Sequence, residues 1–241
     1  MSDMPGGVTV ALVHGGFADS SSWNGVVGRL QAGGVPVTAV ANPLRGLSED
    51  AAYVASALKQ LPGRLLVVGH SYGGAVITNA AAQVDSAVGL VYVAGFAPDE
   101  GESLMDVEKD SKDSVLVSAL KELQYPTAQG TQVEFSIDPA KFHDAFAGDV
   151  PEKEAAVMAA TQRPFSSLGF SEKSGPPAWK KLPVWSIVPT GDKAAGTDAL
   201  RSMAQRAKAT ITEADGSHVI MVSNPQLVTD VIMQALAEVG R

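Results

Sequence analysis

Residues Leu65–Ala82 read LLVVGHSYGGAVITNAAA. The opening LLVV is a short apolar run without polar alternation, as in a strand buried on both faces. The closing AVITNAAA is alanine-rich and suits a helix. Between them GHSYGG, Gly69–Gly74, makes a strand-to-helix turn with Ser71 at its tip. A nucleophile on so tight an elbow sits in strained backbone, and side chains two residues away on either side would collide. Gly69 and Gly73 remove those collisions and leave the Ser71 hydroxyl at the sheet edge. Helix onset just after the serine turns backbone N–H groups toward a developing anion. The pentapeptide G-x-S-x-G recurs by chance, but the strand before it and the helix after it supply the required context.

Working outward, the same kind of apolar run appears at Val8–Val13, Val35–Ala41, Arg64–Gly69, Val88–Gly95, Val184–Pro189 and Ala209–Ala214. Between these runs lie helical segments at Ser22–Gln31 and Ser48–Gln60, each opening on a capping serine, and at Ala75–Ala82, Ala194–Lys208 and Pro225–Val239. Strand and helix alternate, so the expected class is α/β: a mostly parallel six-stranded sheet flanked by helices, with right-handed crossovers. Residues 98–181 break the rhythm. They are charged and irregular, with helical pieces at Asp113–Leu123, Pro139–Ala147 and Pro151–Thr161 and the exit SGPPAWKKLP. The expectation is a core of residues 1–97 and 182–241, with residues 98–181 inserted between strands as a helical cap over the carboxyl edge.

Composition narrows the function classes. The 241 residues are 45% hydrophobic and 18% charged, enough apolar material for a buried core. Twenty-four glycines and fourteen prolines follow no period, which excludes a collagen-like array. The net charge of −8 comes without a basic cluster, so no nucleic-acid partner is expected. The absence of cysteine excludes disulfides, thiolate metal sites and thiol nucleophiles. The start MSDMPGG has neither a basic nor an apolar leader region, so no secretion signal is expected. The longest apolar stretch, Ala87–Ala97, holds two glycines and is too short to span a membrane. A soluble, cytoplasmic protein is expected, with a homodimer as the assembly to test.

Acyl transfer needs two N–H donors for the oxyanion, one from the residue after the nucleophile and one from a loop after an early strand. Tyr72 is the first. VHGGF, Val13–Phe17, supplies the second, with Gly16 the choice and Phe17 the fallback. Of the four histidines, His14 suits loop support, His70 lies inside the elbow and points inward, and His143 (KFHDAF) suits a solvated helix. His218, in ADGSHVIMVSNP, follows the final strand. The chain order Ser…acid…His of this architecture makes it the base. The acid should leave a late strand at the carboxyl edge, as Asp192 does in VPTGDKAAG; Asp99, Asp198 and Asp215 are the rivals. Phe17, Phe142, Phe146 and Met158 are the expected substrate-binding residues, with Phe135, Phe165 and Phe170 as further aromatics of the insert. No His pair at metal spacing and no dinucleotide fingerprint occurs, so no metal or organic cofactor is expected.

These motifs resemble those of the α/β-hydrolases, in the small capped group that includes plant methylesterases, hydroxynitrile lyases and bacterial esterase-like relatives. The resemblance rests on VHGGF with Trp23 downstream, GHSYGG, VAGFAPDEGES (Val93–Ser103), TGDKAAG (Thr190–Gly196) and GSHVIMVSNP (Gly216–Pro225). It covers Val8–Ala97 and Leu182–Leu236, about two thirds of the chain, and the insert matches only in position and helical character. It implies a Ser-His-Asp carboxylesterase acting on a small, rather apolar ester. The alternatives are a lactone or thioester substrate, a C–C bond hydrolase, a lyase on the same triad, or a non-catalytic small-molecule receptor on this fold. Hydroxynitrile lyases of this group tend to carry a hydroxyl residue after the first-strand histidine and a lysine after the catalytic one. Gly15 and Val219 stand there instead, which removes the cation beside a leaving cyanide.

Overall fold

The computed structural model describes residues 7–240, so all but the last residue of the opening MSDMPGG lies outside the described residues. The chain begins with β1 (Val8–Val13), a 3-10 turn at Ser20–Trp23, α1 (Asn24–Ala32), β2 (Val37–Val40) and α2 (Leu47–Leu58). Next come β3 (Arg64–His70), α3 (Tyr72–Ala80) and β4 (Ala87–Val93). The segment after β4 holds α4 (Leu104–Glu108), α5 (Leu116–Ala119), β5 (Leu120–Thr127), β6 (Gly130–Ile137), α6 (Pro139–Phe146), α7 (Glu152–Thr161), β7 (Phe165–Ser166) and α8 (Ser167–Ser171). The chain then closes with β8 (Val184–Pro189), α9 (Thr197–Arg206), β9 (Thr210–Ala214), α10 (Ile220–Ser223) and α11 (Pro225–Val239).

Six strands form one parallel sheet in the order β2-β1-β3-β4-β8-β9. Every residue of β1 and β8 is buried, and all of β3 except Arg64. That burial on both faces is why these strands read as apolar runs without alternation. The order also fixes where a site can form. From β1 the chain moves outward to β2, then crosses back to β3 on the other side. The crevice between the carboxyl ends of β1 and β3 is therefore the switch point at which open α/β sheets bind ligands. Val13 pairs with Gly69, which sets the VHGGF loop beside the elbow.

Backbone strain gathers at the same edge. Phe17 (φ 57°), Ser71 (φ 52°) and Ala94 (φ 45°) are left-handed non-glycine residues, each just past β1, β3 or β4. Such conformations cost about 1–3 kcal/mol each and persist where the surrounding structure over-determines them.

The structure corrects several expectations. Asp19, not a serine, caps the first helical turn by accepting from Ser21 N–H at 2.7 Å, and α1 starts only at Asn24. Ser48 is no cap either; its N–H donates to Glu172 Oε2 of the insert at 2.8 Å. The insert between β4 and β8 is not all helical. Asp113–Leu123, expected as one helix, holds only the single turn α5 before straightening into β5, which pairs antiparallel with β6 from Leu120↔Ile137 to Thr127↔Gly130. Pairing outweighs the local helix formers Leu, Lys and Glu. The hairpin closes at Gly130, whose φ of 119° is open to glycine and strained for other residues. A third strand, β7, joins at Phe135↔Phe165. Among the described residues, no helix is long and apolar enough to cross a membrane.

Candidate active site

Ser71 sits between β3 and α3 in left-handed backbone, locked by three hydrogen bonds. Its carbonyl accepts from Gly74 N–H (2.8 Å) and Phe96 N–H (3.1 Å), and its own N–H donates to Val93 O (3.3 Å). The glycines are required by close approach rather than by torsion. A Cβ on Gly69 would lie 2.6 Å from Gly73 O, and one on Gly73 would lie 2.5 Å from Val13 O. Gly15 presses on the serine itself: its Cβ would stand 2.6 Å from Ser71 Cβ. Tyr72 opens α3, so its N–H has no partner within the helix. Gly16 packs its backbone against the Phe165 ring, where a Cβ would stand 2.9 Å from a ring carbon.

His218 and Asp192 meet as the order of motifs suggests. Asp192 lies in the loop after β8, and its Oδ2 is 2.7 Å from His218 Nδ1. Its other oxygen, Oδ1, accepts the N–H groups of Ala194 (2.9 Å), Ala195 (2.9 Å) and Gly196 (3.4 Å). Both oxygens are thus occupied, and the carboxylate cannot rotate without losing four partners. Relative exposure is 7% at Ser71, 2% at His218 and 1% at Asp192, so the cluster is shielded from bulk solvent. Electrostatic interactions are strengthened where water is excluded.

The remaining histidines contact backbone groups through their rings. His14 Nδ1 contacts Gly15 O at 2.9 Å while Nε2 accepts Asn42 N–H at 3.0 Å, and burial pushes its pKa down to about 4. Held neutral, it fastens the β1 loop to the loop after β2. His70 points inward and its Nε2 donates to the backbone carbonyl of His218 at 2.9 Å. Burial, and then the neighbouring His218, hold its pKa well below the ordinary value, so His70 is a neutral strut beneath His218. His143 is half-buried rather than solvated, and its ring contacts Val150 O at 2.8 Å. The rival acids are engaged elsewhere. Asp99 pairs with Lys180 at 2.5 Å, Asp198 accepts from Ser111 Oγ at 2.6 Å, and Asp215 accepts from Thr190 Oγ1 at 2.9 Å.

Ser71 and His218 line one narrow cavity, with Gly16, Phe17, Tyr72, Phe96, Phe146 and Phe165 among its walls. Phe146 of α6 packs on the His218 ring at 5.0 Å, and Phe165 of β7 packs on Tyr72 at 4.4 Å. Two expected substrate contacts need correction. Phe142 is not in the wall but packs behind Phe146 at 5.1 Å. Met158 faces a separate surface groove of about 200 Å³ on the far side of Phe17. Helical periodicity tells which face of α6 or α7 is apolar, not which apolar residue reaches the cavity. The free volume of the cavity is about 20 Å³, room for a single water molecule.

Three residues of the site carried no sequence signal. Asp50 of α2 is buried and accepts the Tyr72 hydroxyl at 2.7 Å and the N–H groups of Arg45 and Gly46. Burial raises the pKa of this carboxyl despite those bonds. Asp149, in the middle of the α6–α7 link, accepts the hydroxyls of Ser217 and, at 2.6 Å, Ser223. Burial alone would raise its pKa, but the two hydroxyls hold it below the usual range. It ties the insert to both sides of His218. Glu108, last residue of α4, also lines the cavity. No group of three or more His, Cys, Asp or Glu among the described residues could hold a metal.

Comparison with known proteins agrees with this architecture. No curated protein matches the chain by sequence. Among solved structures, polyneuridine aldehyde esterase superimposes with a TM-score of 0.78 at 17% identity, over 94% of this chain and 98% of that one. Tomato methylketone synthase I complexed with 2-tridecanone gives 0.79 at 19%, over 95% and 98%. A pyrethroid hydrolase from Sphingobium faniae JZ-2 gives 0.77 at 19%, over 96% and 98%. At these identities the likeness establishes fold alone. The model of the alpha/beta hydrolase family, by contrast, matches residues 10–231, nearly the whole sequence. With the parallel sheet and the serine elbow already in view, the chain belongs to the alpha/beta hydrolase family.

Proposed function

We propose that this protein is a serine hydrolase that cleaves small, largely apolar carboxylic esters through an acyl-enzyme. The observation that carries the reading is the buried His218–Asp192 pair at 2.7 Å, whose imidazole lines the same cavity as Ser71. In this scheme His218 Nε2 takes the Ser71 proton as Oγ attacks the ester carbonyl. Asp192 keeps the Nδ1 proton in place and stabilises the imidazolium. The Gly16 and Tyr72 N–H groups receive the oxyanion, and Phe17 N–H is the fallback for Gly16. Collapse of the tetrahedral intermediate passes the proton from His218 to the departing alcohol. Water then attacks the acyl-Ser71 by the same steps and releases the acid. The aromatic walls favour an apolar acyl or alcohol group.

Residues 98–181 act in this reading as a cap. With about 20 Å³ free, an ester enters only as rings such as Phe146 and Phe165 move aside. Two structural neighbours, polyneuridine aldehyde esterase and a pyrethroid hydrolase, agree with ester hydrolysis. The buried, apolar Val219 beside His218 argues against cyanohydrin cleavage, which needs a cation there. A panel of p-nitrophenyl acetate, butyrate and octanoate, a matched anilide and a cyanohydrin tests the proposal. Turnover of the esters alone is expected. Turnover of the cyanohydrin without the esters would overturn it.

A further inference from the structure

The cavity wall holds one carboxyl for which ester hydrolysis has no use. Glu108 ends α4, lines the cavity with Ser71 and His218, and buries Oε1 with no hydrogen-bond partner. The other acidic side chains around the site are bonded: Asp192 to His218 and three N–H groups, Asp50 to Tyr72. Apart from Ser71, Tyr72 and His218, the side chains beside Glu108 in this wall are apolar, and the Tyr72 hydroxyl is committed to Asp50. No Lys or Arg lines the cavity among the described residues.

Glu108 is also held in place. A capping box between Ser103 and Asp106 fixes the start of α4, and Ser111 N–H bonds the Glu108 carbonyl at 2.9 Å. Beyond it, Ser111 Oγ reaches Asp198 Oδ1 at 2.6 Å and Ser114 Oγ reaches Ala194 O at 2.6 Å. The segment is thereby bolted to the start of α9 and to the loop that carries Asp192. A buried polar atom without a partner is unfavourable, so the unpartnered Oε1 of a half-buried carboxyl in the wall of a ligand cavity, on an anchored helix, marks a contact that the ligand completes.

We propose that Glu108 is a specificity-determining residue that hydrogen-bonds a hydroxyl group carried by the ester substrate. The inference rests on the ester-hydrolase reading and narrows it to hydroxyl-bearing esters. Burial, and then the Asp192 charge, push the Glu108 carboxyl up to about 8. It is therefore mostly protonated near pH 7 and both donates and accepts. A hydroxyl, itself donor and acceptor, satisfies that carboxyl in either ionisation state. A methyl group in the same place leaves it unpaired, and sites built to bond a hydroxyl reject the analogue lacking it.

The test uses two isosteric pairs: methyl 3-hydroxybutyrate against methyl 3-methylbutyrate, and 2-hydroxyethyl butyrate against propyl butyrate. Wild type should prefer the hydroxyl member of at least one pair by about tenfold or more in kcat/KM. Glu108→Leu should abolish the preference while still cleaving the apolar member, and Glu108→Gln, which keeps a donor and an acceptor, should retain it. Glu108→Ala serves where the leucine variant does not fold by thermal melting. The proposal is overturned if wild type has no preference, if the preference survives in Glu108→Leu, or if Glu108→Gln loses it. Failure of all four esters to turn over overturns the hydrolase reading and this inference together, whereas turnover without hydroxyl preference overturns this inference alone.

Discussion

Replacing Asp192 with Asn changes one atom, and the surrounding hydrogen bonds dictate which one. Oδ1 accepts three backbone N–H groups, from Ala194, Ala195 and Gly196. An asparagine that turned its NH₂ toward them would set donors against donors. Its carbonyl oxygen must keep that place, which leaves the NH₂ facing His218 Nδ1, now at 2.7 Å from a carboxylate oxygen. Nδ1 then becomes the acceptor and the ring proton moves to Nε2, the nitrogen that has to take the Ser71 proton. Asp192→Asn should therefore fold normally and lose about ten-thousandfold in kcat, about 5 kcal/mol of transition-state stabilisation. Asp192→Ala differs in a measurable way. It strands three buried N–H groups at about 1–3 kcal/mol each, so it should lose several kcal/mol of stability as well. The assay is p-nitrophenyl butyrate hydrolysis at pH 7.5, with urea unfolding of each variant. A folded Asp192→Asn within tenfold of the parent would refute the assignment, most sharply if Asp99→Asn were inactive.

Gly15→Ala brings a Cβ to 2.6 Å from Ser71 Cβ and 2.9 Å from His70 O. It should cost about 1–3 kcal/mol of stability and more than tenfold in kcat, and a fully active variant would mean that the β1 loop yields freely. Asp149→Ala removes the acceptor of the Ser217 and Ser223 hydroxyls. It should lower kcat with KM little changed, because the loop carrying His218 loosens; an altered KM alone would point to a role in binding instead. Glu108 gives a pH signature in stability. Its carboxyl rises from 4.5 to about 8 on folding, so the folded state resists ionisation and stability falls as pH climbs through that window, levelling above it. The contribution has a ceiling of about 5 kcal/mol. The melting temperature of Glu108→Gln should therefore gain on the parent between pH 5 and pH 8, and a constant difference would contradict the burial of this carboxyl.

The parts of this fold legible in the sequence are those decided locally. β1, β3 and β8 are buried on both faces, and their largely apolar runs without regular polar alternation say so. The elbow around Ser71 is legible because its glycines answer close contacts from the Val13–His14 and Gly73 backbone. His218 and Asp192 follow from the order of strands along one sheet edge. The β5–β6 hairpin is hidden because Leu116–Leu123 (LVSALKEL) is dominated by the helix formers Leu, Ala, Lys and Glu, and only pairing with Gly130–Ile137 extends it. That partner did carry a signal, in Gln129-Gly130 before TQVEFSI. Phe142 and Met158 read as well as Phe146 for a pocket, since only the packing of α6 and α7 decides which side chain lines the cavity. Glu108 and Asp149 are single carboxyls in a charged insert. Asp149 is singled out by its bonds to Ser217 and Ser223 and Glu108 by its place in the cavity wall, and sequence patterning contains no trace of either.

The central claim is that Ser71 is a nucleophile activated by His218. The most direct measurement is covalent labelling with a fluorophosphonate, followed by intact mass and peptide mapping. One adduct per chain is expected, on Ser71, with none in Ser71→Ala and a strongly slowed reaction in His218→Ala. An adduct on another residue, or equal labelling of Ser71→Ala, would contradict the account.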